Sequence, residues 1–235
     1  MIVNYCILRA HTREKPDRRT SIRTSFKWLA KMGFVAGALV CAVPHQDGFS
    51  IELQNEKNVG LGKTIRVGIE NRVPKPVLTV QLTKNFSIPE LSGGDFLVAT
   101  YEYGRIIAKK LPPADKYYVV SWQNYGAYLR LNGGWMDDAG FPPETIVTAA
   151  PSGNCITFDA WNGKVDEYPA LVKFARKNKL QVLQTRTCLQ NITFINLYKE
   201  LLDKAGFADG DVAGIRCGRG QITMFKPDLT MFNNA

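Results

Sequence analysis

Histidine is almost missing from this 235-residue chain, which carries only His11 and His45. Its five cysteines, Cys6, Cys41, Cys155, Cys188 and Cys217, are odd in number and show no C-x-x-C spacing. Together these shortages exclude a zinc framework and a disulfide scaffold, and they point to a reducing, cytoplasmic setting. Long apolar runs are missing as well. The longest candidate, FVAGALVCAV from Phe34 to Val43, is too short to span a bilayer and begins too far from Met1 for a signal peptide. No Gly-Lys-Ser/Thr phosphate loop, HExxH helix or nucleophile elbow occurs, so no familiar catalytic motif is available. The expectation is a protein without metal or cofactor, without a membrane span and without an assigned catalytic residue.

What the chain does contain is a recurring segment. The clearest copy is AYLRLNGGWMDDAGFPPETIVTAAPSGNCITFDAW, residues 127–161, and NITFINLYKELLDKAGFADGDVAGIRCGRGQITMFKP, residues 191–227, follows the same plan. Residues 21–56 keep the frame: Trp28 precedes Gly33 by the spacing that separates Trp135 from Gly140, and Arg23 and Arg130 fall at matching positions. Residues 77–111 form a weaker copy, with Ser-Gly-Gly-Asp in place of Gly-Phe. An extra strand-like run precedes each copy: MIVNYCILRA, KTIRVGIENR, KYYVVSWQNY and KLQVLQTRTC.

Alternation in IRVGI, LTVQL, YLRLN and ITFIN predicts half-buried strands, while FKWLAKMG, WMDDAG and LYKELLDKAG have helical spacing over a few turns at most. Gly33, Gly140 and Gly206 stand where those helices stop, with Phe34, Phe141 and Phe207 ready to fold back onto the core. Asp47-Gly48, Tyr103-Gly104, Ser152-Gly153 and Gly218-Arg219-Gly220 read as hairpin turns. The fold class is therefore mainly β with short helices. KKLPPADK (109–116) divides the chain into 1–112 and 113–235, each holding two copies, and 168–177 reads as a surface helix inserted in the second half. Units this small bury too little apolar surface to stand alone and must pair.

The charge is lopsided. Residues 1–115 hold 17 Lys and Arg against 10 Asp and Glu, and residues 116–235 hold 13 against 11. Arg9, Arg13, Lys15, Arg18, Arg19, Arg23 and Lys27 crowd the connector and strand at the start of the first copy, and Arg72 and Lys75 occupy the matching connector of the second. Such a field attracts phosphates and gains affinity from counterion release. Arg23 and Arg130 should point to the solvent face of their strands, where phosphate contact and plain solvation are both open. The candidate nucleic-acid-binding residues are thus Arg13, Arg18, Arg19, Arg23, Lys27, Arg72, Lys75 and Arg130. Trp28 and Trp135 are expected as core anchors. Asp137 and Asp138 sit where carboxylates suit a helix N-terminus, which accounts for them without catalysis.

An alternating strand, one or two small residues, Trp, a short acidic helix, Ala-Gly-Phe, a polar turn and a hairpin together resemble the SymE-type toxin domain of the AbrB/MazE-like swapped-hairpin superfamily. YLRLNGGWMDDAGFPPETIVTAAPSGNCITF carries the resemblance best, followed by ITFINLYKELLDKAGFADGDVAGIRCGRGQITMF. The resemblance implies interlaced hairpin units that form a small barrel and present basic residues to duplex DNA, with RNA cleavage also proposed for SymE-like members. Four copies in one chain would then give two pseudo-dimeric barrels in a monomer. The expected partner is nucleic acid, duplex DNA before RNA, in the cytoplasm and on the nucleoid. The alternatives are a SymE-like toxin acting on RNA and a phage or mobile-element module that engages a host protein.

Overall fold

The computed structural model describes residues 5–9, 11–12, 20–25, 29–70, 77–82, 91–123, 126–188 and 191–230. It divides into unit 1, Met1–Pro113, and unit 2, Ala114–Ala235. Each is mainly β with short helices.

Unit 1 runs β1 Tyr5–Arg9, β2 His11–Thr12, β3 Thr20–Ser25, a 3-10 turn Leu29–Met32, β4 Leu39–Pro44, β5 Gly48–Leu53, β6 Lys63–Arg66, β7 Gly68–Glu70, β8 Val77–Leu82, β9 Phe96–Glu102 and β10 Arg105–Lys110. Unit 2 runs β11 Lys116–Val119, β12 Ser121–Gln123, β13 Gly126–Asn132, α1 Trp135–Asp138, β14 Ile146–Ser152, β15 Cys155–Ala160, a 3-10 turn Val165–Glu167, α2 Tyr168–Lys177, β16 Gln181–Gln184, β17 Arg186–Thr187, β18 Thr193–Tyr198, α3 Lys199–Lys204, β19 Val212–Gly218 and β20 Gln221–Phe225. A six-stranded sheet in unit 1 has the order β1-β9-β10-β5-β4-β6, and that in unit 2 has β11-β19-β20-β15-β14-β16. The four-stranded sheets are β2-β3-β8-β7 and β12-β13-β18-β17. Adding ten to every strand number of unit 1 reproduces unit 2. Each six-stranded order is also symmetric about its centre: the first strand of a unit pairs with the second hairpin, and the strand after the first hairpin pairs back onto that hairpin.

Three of the four leading runs are split between the two sheets, and in the first the chain passes from β1 to β2 just beyond the run; this corrects the expected barrels. Among the described residues no sheet closes into one. The residue at the split explains why: Val67, Val120 and Thr185 are buried, and each uses its backbone on a loop that follows a helical turn. Val67 donates to the Ala38 carbonyl and accepts from Gly37 N–H. Val120 does the same with Asp211 and Gly210, and Thr185 with Thr145 and Glu144. A residue bonded to that loop leaves the ladder of the first sheet, and the chain beyond it enters the second.

The helical turns end as the Gly-Phe spacing requires. Gly33, Gly140 and Gly206 have φ of +86°, +88° and +73°, a left-handed conformation cheap for glycine. Phe34, Phe141 and Phe207 donate their N–H groups to the carbonyls of Leu29, Met136 and Leu202, while the glycines donate to Ala30, Asp137 and Asp203. These are Schellman caps, and the three rings are at most 1% exposed. Trp135 is only half-buried and donates Nε1–H to the Asn132 carbonyl at 2.9 Å. Met136, its neighbour, takes the fully buried place. Trp28 lies outside the described residues.

The core of unit 2 fills the space between its two sheets: Leu129, Leu131, Ile195 and Leu197 from one, Val147, Ile156, Phe158, Ile215 and Met224 from the other, with Met136 and Leu202 from the helices. In unit 1 the cluster holds Leu29, Phe34, Val40, Phe49, Ile51, Leu97 and Ile106. No helix among the described residues is long and apolar enough to cross a membrane.

Candidate nucleic-acid interface

Because β13 and β18 bury alternate residues, the others share the opposite face of their sheet. Leu129 and Leu131 pair with Leu197 and Ile195 toward the core, so Tyr128, Arg130, Phe194, Asn196 and Tyr198 lie together on the outer side. Arg130 stands directly opposite Asn196. Its Nε–H donates to Tyr128 Oη and to Asn196 Oδ1, both at 3.0 Å. Tyr128 in turn donates to Asn196 Oδ1 at 2.8 Å. The guanidinium lies 4.6 Å from the centre of the Phe194 ring, within cation–π range. The Tyr128 and Tyr198 rings lie 5.8 Å apart. One nitrogen of Arg130 is thus used to fix the side chain of an exposed residue, and a guanidinium has further N–H donors with which to meet an anion.

In unit 1 the same strand position is held by Arg23, which stands opposite Gln81. Both central pairs are therefore an arginine facing a carboxamide residue. Arg13, Arg18, Arg19, Lys27, Arg72 and Lys75 lie outside the described residues, and of Arg23 only the strand position is described. Of the eight residues expected from sequence, Arg130 alone has a described side-chain environment. Tyr128, Phe194, Asn196 and Tyr198 were not singled out from sequence, although the alternation of YLRLN and ITFINLY places them on the face of Arg130.

A groove of about 640 Å³ continues from this face. Ile146, Val182, Leu183 and Ile195 supply its apolar wall, Tyr168, Phe194 and Tyr198 its rings, and Gln184, Arg186 and Asn196 its polar groups. A second cavity of about 690 Å³ is lined by Asp115, Lys116, Trp135, Asp137, Asp138, Cys217 and Arg219 among others. Its chemistry is structural. Asp137 Oδ1 accepts from the buried Thr193 hydroxyl at 2.6 Å. Burial, reinforced by the Asp115 carboxylate, pushes the Cys217 thiol up to about 11, so it is not a thiolate nucleophile near neutral pH. Arg216 stacks on the Phe225 ring at 4.5 Å.

Other charged groups also have structural work. Asp95 pairs with Lys110 at 2.8 Å and Asp211 with Lys226 at 2.6 Å, at equivalent places in the two units. Each carboxylate also accepts a backbone N–H from three residues earlier, Ser92 and Ala208. His45 closes the β4–β5 hairpin by donating its N–H to the Gly48 carbonyl, and its Nε2 lies 3.1 Å from Ser50 Oγ. Among the described residues no group of three His, Cys, Asp or Glu is placed to hold a metal ion. No protein-family model and no curated protein matches the sequence.

Proposed function

We propose that this chain binds nucleic acid, and duplex DNA in particular, through the outer faces of its two four-stranded sheets. The observation that carries the reading is Arg130: an exposed guanidinium fixed by Tyr128, Asn196 and Phe194 at the centre of a sheet. Arg23 at the same register in unit 1 supports it, as does a formal charge of +9. An arginine held by one nitrogen over a ring is preorganised to receive a phosphate, and phosphate contacts of this kind position a protein without reading sequence. On this reading the chain is four SymE/AbrB-like units in which leading strands are exchanged between the halves of each pair. The symmetric strand orders and the three Gly-Phe caps support it. The connector residues Arg13, Arg18, Arg19, Lys27, Arg72 and Lys75 then add to the field that draws the duplex in.

The test is the double variant Arg23→Ala, Arg130→Ala. Each lost contact is expected to weaken duplex binding about fivefold, roughly 1 kcal/mol for a hydrogen-bonded phosphate contact. The log-log salt slope should become shallower by about 1.8, or 0.9 per phosphate. Arg130 is exposed, so circular dichroism should not change. Wild-type affinity and slope in the double variant would sink the proposal.

A further inference from the structure

Unit 2 differs from unit 1 in the connector between its first hairpin and the strand that follows. In unit 1 residues 54–62 make this link, and in unit 2 residues 161–180 do, carrying α2. The insertion supplies Val165, Tyr168 and Pro169 to the groove beside the Arg130 face, and Phe194, Asn196 and Tyr198 belong to both surfaces. Among the described residues Arg186 lines this groove and no Asp or Glu does. Its volume falls within the range of about 300–1,000 Å³ usual for ligand clefts.

The polar groups on the rim are half-used. Asn196 Oδ1 is taken by Tyr128 and Arg130, while its Nδ2 has only a long 3.4 Å contact to Tyr198 Oη. Gln184 Nε2 donates to the Glu144 carbonyl at 3.4 Å, which leaves its Oε1 as an acceptor. The groove therefore offers one amide donor and one amide acceptor among exposed rings, with Tyr168 39% and Tyr198 55% exposed. Further along the same helix Lys173, Arg176 and Lys177, and just past its end Lys179, are exposed and make no ion pair within 4.0 Å among the described residues. Helix-end electrostatics favour Arg176 and Lys177 in the last turn, but they do not explain Lys173 or the open groove.

We infer that the groove docks single-stranded nucleic acid, an unpaired base lying against the Tyr168 and Tyr198 rings with its edge at Gln184 and Asn196. The phosphates of the strand run along the basic end of α2. Rings to stack on, an amide donor and acceptor, and a cationic helix end are what a single strand requires, and the exposed carboxylates of Asp166 and Glu167 stand at the opposite, amino-terminal end of α2. A duplex keeps its base faces stacked and its pairing edges occupied, so it cannot fill the groove. The inference rests on the nucleic-acid reading of the adjoining sheet and adds a second kind of strand at unit 2.

Fluorescence anisotropy with a labelled twelve-residue oligoadenylate and its deoxy counterpart, beside a labelled duplex, tests it. Tyr168→Ala is expected to weaken single-strand binding about fivefold or more and leave duplex binding unchanged, because one base-ring stack contributes about 1–3 kcal/mol. Tyr168→Phe keeps the ring and should retain binding, which separates lost stacking from a disturbed helix. Lys173→Ala with Lys177→Ala should make the single-strand salt slope shallower by about 1.4. Unchanged single-strand affinity in Tyr168→Ala overturns the inference, as does duplex binding with no single-strand binding. Displacement by AMP at the concentration of oligomer that displaces the probe also overturns it, by assigning the groove to a free nucleotide. Single-strand binding that depends on Tyr168, with no duplex affinity, would sustain this inference and remove the duplex reading.

Discussion

Replacing Phe141 by Ala is expected to cost unit 2 about 3–5 kcal/mol, the range for emptying the space of a buried aromatic ring. The ring is 1% exposed, and it lies in one cluster with residues of both sheets and both short helices. Its backbone N–H also closes the cap on Met136, so collapse into the cavity would have to move the chain that ends α1. The readout is amide hydrogen exchange in β15 and β20, the two central strands of the six-stranded sheet. Exchange there should accelerate by two to four powers of ten, the same energy expressed as an opening constant. Phe174→Ala provides the contrast. That ring is 57% exposed, and its loss should stay within about 0.5 kcal/mol. Equal effects of the two substitutions would contradict the placement of the Gly-Phe caps in the core.

A second large effect is expected from a single methyl group in unit 1. A Cβ on Gly48 would lie 2.0 Å from the Ala108 carbonyl oxygen and 2.9 Å from Lys109 Cα. Both are backbone atoms of β10, the neighbour to which β5 is paired. Neither can step aside as a flexible side chain could, so Gly48→Ala must push apart the two central strands of the sheet. Overpacking of this kind costs about 1–3 kcal/mol or more. At Gly153, in the corresponding hairpin of unit 2, an added Cβ would meet nothing within 4 Å. Gly153→Ala should therefore be within about 0.5 kcal/mol of the parent. Chemical denaturation of the two variants checks the ranking, and a Gly48→Ala protein as stable as Gly153→Ala would refute the β5–β10 register.

Local chemistry made some of this legible in the sequence. A helix stop with Gly in the left-handed region followed by a buried Phe is a short-range device, so Gly33, Gly140 and Gly206 announced it. The amphipathic run from Tyr168 to Lys177 likewise announced α2. Strand alternation in YLRLN and ITFIN was equally local, and it carried the face of Arg130, though the tyrosines and Asn196 on that face were not picked out from it.

What was not legible depends on partners distant in the chain. Nothing in the periodicity of KYYVVSWQNY signals that Val120 bonds to Gly210 and Asp211 and thereby divides the run between two sheets. Without that division a closed barrel was the natural reading. The groove was hidden for the same reason. Tyr168, Gln184 and Asn196 belong to three separate elements, and only the fold brings them to one cavity. Charge counting favoured the amino-terminal half, and many of the basic residues behind that count lie outside the described residues.

The most direct test of nucleic-acid binding is the affinity of the intact chain for a labelled duplex across a salt series. The account predicts that the logarithm of the association constant falls linearly with the logarithm of salt concentration, with a slope of about −1.8 or steeper if Arg23 and Arg130 each neutralise one phosphate. No binding, or an affinity that does not change between about 50 and about 200 mM salt, would contradict it.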